Sequence, residues 1–395
     1  MKMNRREFLT SAALAPLVTV PFMGPVQAAA RWDRAVVLVE LKGGNDGLNT
    51  VVPYTDSTYY SLRPNIAVPK ETVLQLDERL GLAKELAPLM ALWDQGQLAV
   101  ALGVGYPDPN LSHFRGIQIW DTATDSSEFS QRGWIGQLYD EVEAPPAEFA
   151  ADGMVLGRGV FGPLKAPGHR VMVLKNIGQL DAAALLPTIA LGPGMDGGMA
   201  VDPNPLAHVL GVQEDFKSGA AAILAKGVEN VDAKARFPEG TFGLQMEMAA
   251  KLIAGGVRLP VIKVSLGGFD THAAQVDEQS LLHAELASGL SAFAQSMRAH
   301  AMWDDVLVMT YAEFGRRPKE NGNGGTDHGT SAPHFLMGGR VKGGLYGEQP
   351  PLDDLVHRDN LQHRLHFRSL YATVAQEWWG MDASFLKEAP LGAIA

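Results

Sequence analysis

Four short apolar runs, each leading into a cluster of glycine and polar residues, constrain the fold of this chain more tightly than any other feature. They are Arg34–Leu41 (RAVVLVEL), Gln97–Val104 (QLAVALGV), Pro260–Leu266 (PVIKVSL) and Asp305–Tyr311 (DVLVMTY). Near-continuous runs of this length, rich in β-branched residues, suit strands covered on both faces, as in a parallel sheet. Between them lie stretches with helical spacing. Leu82–Gln95 carries Leu82, Leu86, Leu89 and Met90, and Ser112–Thr122 has the same character. Thr241–Ala254 closes on Gly255-Gly256, and Leu281–Met302 places Leu282, Leu286, Leu290, Phe293 and Met297 along one stripe. Helices alternating with apolar strands predict a parallel, doubly wound α/β sheet.

The stretch 144–238 is less regular and richer in glycine and proline, and it reads as further sheet edge with an inserted cap. No internal repeat is visible. Asn321–Gly325 (NGNGG) is a polar loop that cannot be core, and such loops inside an α/β domain are functional or mobile.

The N-terminus, MKMNRREFLT, carries Lys2, Arg5 and Arg6 and then Phe8-Leu9, the R-R-x-F-L pattern of a twin-arginine export signal. An apolar stretch from Ser11 to Met23, broken by Pro16 and Pro21, precedes the small-x-small site Val26-Gln27-Ala28. It is too short and too proline-broken to span about 30 Å of hydrocarbon as a helix. The expected division is a signal over 1–28 and one domain over 29–395, delivered by the twin-arginine translocase to the periplasm or beyond, without stable membrane insertion.

The formal net charge is −11, and cleavage removes three basic residues against one acid. So acidic a chain is unsuited to nucleic acid or to an anionic membrane. With no cysteine, thiolate catalysis and cysteine zinc sites are excluded. A metal would have to be held by His, Asp, Glu, Asn, Ser or Thr.

In open α/β sheets, ligands bind beyond the carboxyl ends of the strands. Here those ends carry Asn45-Asp46, then Asn110-Leu111-Ser112-His113, then Asp270-Thr271-His272, then Glu313 followed by Asp327-His328 and His334. Each has an ordinary alternative: a turn or cap at Asp46, an N-cap at Ser112, an Asx turn at Asp270, an exposed turn at Asp327. Four successive strand ends bearing carboxylates and imidazoles together suit a divalent cation, zinc or manganese first, with calcium or magnesium as alternatives.

The segments GGNDGLN (43–49), NLSHFR (110–115), GWIG (133–136), GGFDTH (267–272), EFGR (313–316) and DHG (327–329) together resemble a twin-arginine-exported family of unknown function. That family belongs to the alkaline phosphatase and sulfatase-like superfamily. The resemblance implies a three-layer α/β/α fold with a mostly parallel central sheet. It also implies metal-dependent hydrolysis of phosphate or sulfate esters, small or polymeric. On this resemblance Asp46 matches the first-strand metal aspartate and Ser112 the nucleophile, with His113 beside it. Asp270, His272, Glu313, Asp327, His328 and His334 fall at ligand positions, and Asn45 and Arg115 at substrate contacts, although Arg115 better suits a role in fixing its helix.

Two departures stand out. The Asp-x-His spacing at 270–272 is narrower than the superfamily's Asp-x-x-x-His, and Glu313 occupies the strand end where Asp-His-Gly is expected, as a ligand or a ligand-orienting group. They favour the alternative of a non-catalytic binding or assembly protein that keeps the fold. A lipase-like serine esterase, suggested by Gly44-Asn45-Asp46, lacks its upstream serine. The histidines His357, His363 and His366 read as surface or supporting groups.

Overall fold

The computed structural model describes residues 30–184, 205–357 and 359–395, so the expected export signal over 1–28 lies outside the described residues. The principal strands are β1 (Ala35–Lys42), β2 (Leu98–Gly105), β3 (Gly153–Leu156), β4 (Val171–Leu174), β5 (Val261–Gly267) and β6 (Val306–Tyr311). A hairpin follows, β7 (Gly315–Glu320) and β8 (Thr326–Gly329), and then β9 (Ala332–Met337), β10 (Gly344–Gly347) and the short β11 (Leu365–His366). The helices used below are α1 (His113–Thr122), α2 (Trp134–Glu141), α3 (Pro205–Leu224), α4 (Thr241–Ala254), α5 (Gln275–Ala299) and α6 (Arg368–Ala372).

Nine strands form the central sheet in the order β10-β2-β9-β6-β1-β5-β3-β4, with β11 also paired to β2. All pairings are parallel except those of β9, which runs antiparallel to both β2 and β6. The strand side-chain period of two sorts β1 between two layers. Val37, Val39 and Leu41 join Phe242, Met246, Leu286, Leu290 and Phe293 of α4 and α5. Val36 and Leu38 join Trp120, Trp134, Leu370 and Trp378 on the opposite face. Val36 through Val39 are fully buried, each contributing roughly 1.5–3 kcal/mol by leaving water. The expected three-layer α/β/α architecture is the one observed.

Three details differ from the sequence expectation. The Leu82–Gln95 helix breaks into a 3₁₀ segment, Lys84–Leu89, containing Pro88, and a short helix, Met90–Asp94, because proline cannot donate within a helix. Helix α5 begins at Gln275, before its apolar stripe, where Ala274 adopts a left-handed φ of 49°. Strand β9 enters the middle of the sheet unforeseen. The irregular stretch 144–238 supplies the last two strands at one edge of the sheet, β3 and β4, and helix α3. Among the described residues no helix is long and apolar enough to cross a membrane.

Candidate metal centre

Strands β2, β6, β1 and β5 all release their chains at the same edge of the sheet. After β1, Gly43 and Gly44 have φ values of 113° and 74°. A Cβ on Gly43 would lie 2.4 Å from the Asp270 backbone nitrogen, and one on Gly44 would lie 2.6 Å from the Phe314 ring. Only glycine permits both the backbone conformation and this approach.

Glu313, just past β6 and 5 % exposed, turns its Oε1 toward this junction. The oxygen accepts from Gly43 N at 2.9 Å and from His113 Nδ1 at 2.7 Å. Because a carboxylate only accepts, His113 Nδ1 carries the proton of this bond and Nε2 points away from Glu313. His328 on β8 is fixed in the same way, with Nδ1 2.8 Å from the Leu111 carbonyl oxygen. Both Nε2 atoms face Asp270. His113 Nε2 lies 3.3 Å from Asp270 Oδ2, and His328 Nε2 lies 3.2 Å from Oδ1.

His113, Asp270 and His328 thus present three donor atoms within 4.8 Å of one another. His272 lies beside two of them, its Nε2 3.0 Å from Asp270 Oδ1 and 3.1 Å from His328 Nε2. Donors bound to one cation at about 2.0–2.2 Å stand roughly 3–3.5 Å apart, and the separations to Asp270 fall in that range. His113 Nε2 and Glu313 Oε2 are buried without a hydrogen-bond partner; the Asp270 oxygen 3.3 Å from His113 lies outside hydrogen-bond alignment. A buried ring nitrogen without a partner, on a histidine whose other nitrogen is already held by Glu313, fits a metal. Phe314 closes one side, its ring 4.8 Å from His113 and 4.6 Å from His328.

Arg316 holds the frame. Its guanidinium, 1 % exposed, donates to the carbonyls of Gly43, Gly44, Phe269 and Thr326, and at 2.5 Å to Asp270 Oδ1. One side chain therefore ties the ends of β1 and β5 to the hairpin. Burial alone would raise the Asp270 carboxyl, but the hydrogen bond and charge of Arg316, with His113 and His328, hold it down at about 2. His328 is lowered by burial, with Arg316 and His113 adding to the effect, which favours the neutral, ligating imidazole.

Other expected site residues lie elsewhere. Asp46 does not face the cluster as a metal ligand. It is 1 % exposed, with Oδ2 2.6 Å from Arg63 Nη1 and Oδ1 3.0 Å from Arg63 Nη2. Gln275 and the Leu48 amide take the remaining positions. Its counter-charge is a guanidinium, itself held by Asn49 and the Arg317 and Pro318 carbonyls.

His334 is a second correction. It sits inside the sheet on β9, 5.2 Å from the Trp120 ring, and burial lowers it to about 3. Asn45 is interior as well, bonded to Thr50 and Gln279. Arg115 reaches Gln118 and the carbonyls of Asp125, Ser126 and Glu128, and lies 3.9 Å over Phe129. It secures the loop after α1, and its donors are taken up there.

Asp327 is half exposed at the rim, 3.6 Å from His272. Glu313 orients His113, which moves from nucleophile's neighbour to candidate ligand. Ser112 is exposed at the N-cap of α1 and makes no side-chain cap bond. It stands between Leu111 and His113, both engaged with the cluster. Sequence reasoning missed Arg63 and Gln275, and it quoted Phe314 and Arg316 only as part of a motif. Arg316 falls three residues after Glu313, the one local signal available.

These features define an α/β protein with a histidine and aspartate cluster, of the kind that can hold a cation, at the carboxyl edge of its sheet. Residues 212–390 match the model of a family described as a protein of unknown function, DUF1501. The matched span includes Asp270, His272, Glu313 and His328, and leaves Asp46, Ser112 and His113 outside. No curated protein matches the chain.

Three similar solved structures illustrate its surroundings. The lipoteichoic acid synthase LtaP from Listeria monocytogenes is 9 % identical over 78 % of this chain and 65 % of its own, just under two thirds of its length, with a TM-score of 0.37. A protein in the alkaline phosphatase superfamily from Vibrio parahaemolyticus is 10 % identical over 92 % and 70 %, with a TM-score of 0.40. The C-terminal periplasmic domain of EcEptC from Escherichia coli, in complex with zinc, is 10 % identical over 88 % and 83 %, also with a TM-score of 0.40.

Proposed function

We propose that this chain is an exported, metal-dependent hydrolase of phosphate or sulfate esters, with His113, Asp270 and His328 as ligands, His272 beside them, and Ser112 as nucleophile. The observation that carries this reading is the pair of histidines whose Nδ1 protons are committed to Glu313 and Leu111, leaving both Nε2 atoms toward Asp270. The uncapped Ser112 lies next in the chain to both anchoring points. The twin-arginine pair Arg5-Arg6 supplies the export part of the reading.

A divalent cation, zinc or manganese first, supplies Lewis-acid polarisation of the ester oxygens when bound. Ser112 Oγ attacks phosphorus or sulfur, the bond to the alcohol oxygen breaks, and the hydroxyl proton leaves with the alcohol. Water then cleaves the serine ester and restores the hydroxyl. The N-terminus of α1 stabilises the incoming anion by about 0.3–1 kcal/mol.

The test is a panel of phosphate monoesters, phosphodiesters and sulfate esters with added zinc, manganese, calcium or magnesium. The expected outcome is turnover of one ester class by the wild type and its loss in Ser112→Ala, with metal content unchanged. Turnover preserved in Ser112→Ala overturns the nucleophile. A non-catalytic binding role is favoured by one observation, the neutralisation of Asp46 by Arg63; metal content without turnover across the panel would select it.

A further inference from the structure

We propose that Gln275 is a positioning residue whose carboxamide sets the spacing between the two chain segments that deliver Asp270 with His272 and, separately, His328. The inference rests on the reading of these residues as a cation site. Gln275 opens α5 and is fully buried. Its Nε2 donates to Asp46 Oδ2 at 2.5 Å. Its Oε1 accepts from Thr271 Oγ1 at 3.1 Å and from Thr326 Oγ1 at 2.6 Å. The orientation of the amide is unambiguous, because the Asp46 carboxylate offers no proton and requires the NH₂ end.

The two threonines stand at telling positions. Thr271 separates Asp270 from His272, and Thr326 lies two residues before His328 on the same strand, β8. The backbones of these segments are stitched alongside, Thr326 N to Thr271 O at 3.2 Å and Gln275 N to Gly324 O at 2.9 Å. Asp46 is in turn immobilised by Arg63. A rigid anchor therefore reaches the donor cluster through one amide, which bonds both donor-bearing segments at a single oxygen.

No other neutral side chain of this size presents a donor to Asp46 and an acceptor to two hydroxyls. Glutamate would place a carboxylate oxygen against Asp46, and methionine would fill the volume with neither bond. The Nε2 atoms of His272 and His328 are 3.1 Å apart, so a shift of a few tenths of an ångström between the segments alters the shell that a cation meets.

The experiment uses the mature protein with zinc alone as probe, titrated in competition with a chromophoric chelator, and cobalt as a spectroscopic substitute. Gln275→Met and Thr326→Val are expected to bind zinc about 10–100-fold more weakly than wild type and to shift the cobalt visible spectrum. Thr326→Ser, which keeps the hydroxyl, is expected to restore wild-type values of both. Thermal midpoints of the metal-free proteins show that each variant is folded. Unchanged zinc affinity and cobalt spectrum in folded Gln275→Met overturn the inference alone. Should that variant fail to fold, an equal loss of affinity in Thr326→Val and Thr326→Ser overturns it instead. A wild type that binds neither metal overturns the site reading as well, and is a distinct result.

Discussion

Asp121, at the end of α1, offers the sharpest quantitative test of the interior. It is 8 % exposed, and its Oδ1 has no hydrogen-bond partner. Lys263 is the nearest buried cation, already paired with Glu40 at 2.9 Å. Gly162 seals the space, since a Cβ there would lie 2.8 Å from Asp121 Oδ1 and 2.9 Å from Lys263 Nζ. Burial pushes the Asp121 carboxyl up to about 8, Lys263 pulls it down without prevailing, and Glu40 and Glu313 add to the rise.

The folded state therefore keeps a proton that the unfolded chain releases near pH 4. Stability from this group is complete below the unfolded value and declines as pH rises toward 8, by about 1.4 kcal/mol per pH unit. Asp121→Asn removes the titration and hence the slope. The stability of the variant relative to wild type should rise by about 3 kcal/mol between pH 5 and pH 7. Urea denaturation followed by tryptophan fluorescence at pH 5, 6, 7 and 8 measures it. A difference that stays constant over that range would refute the reasoning, because it would mean that Asp121 is already ionised in the folded protein at pH 5.

Three further outcomes follow from the same geometry. Arg63→Met should cost about 3–5 kcal/mol in urea denaturation, since it strands the buried Asp46 carboxylate; a loss below 1 kcal/mol would contradict the placement. Glu313→Gln should weaken zinc binding about tenfold or more at nearly unchanged thermal midpoint, because His113 loses the charged acceptor on Nδ1; equal affinity argues against the orienting role. His334→Phe should leave metal content unchanged and hold or raise the thermal midpoint, its Nδ1 being unpartnered beside Trp120; loss of metal would return His334 to the ligand set.

The central strands were legible because burial on both faces demands continuous apolar runs, and β1, β2, β5 and β6 lie within one residue of the expected bounds. Strand β9 was not, because Pro333 and His334 interrupt its apolar pattern. Proline is a poor resident of a sheet interior, and only its neighbours β2 and β6 make this a strand. The same division runs through the site. Asp270 and His328 could be singled out as ligating side chains that follow strand ends. Asp46 was singled out on the same ground, yet its fate was decided by Arg63, which arrives from a segment whose sequence carries no sign of its destination. His113 looked like a neighbour of the nucleophile because the proton on its Nδ1 depends on Glu313, 200 positions away in the chain. Local pattern reveals which side chains can bind a metal; which of them are free to do so is a tertiary property.

The Arg63–Asp46 pair has a consequence for how this protein matures. One cation at the sheet edge is covalently part of the chain, so no chelator can extract it and no supply can limit it. The framework from Asp46 through Gln275 to the two donor-bearing segments can be completed during folding itself. On the proposed function, metal loading would then be a separate, later event at donors already in place, and stripping the metal should leave that frame in the same shape instead of collapsed.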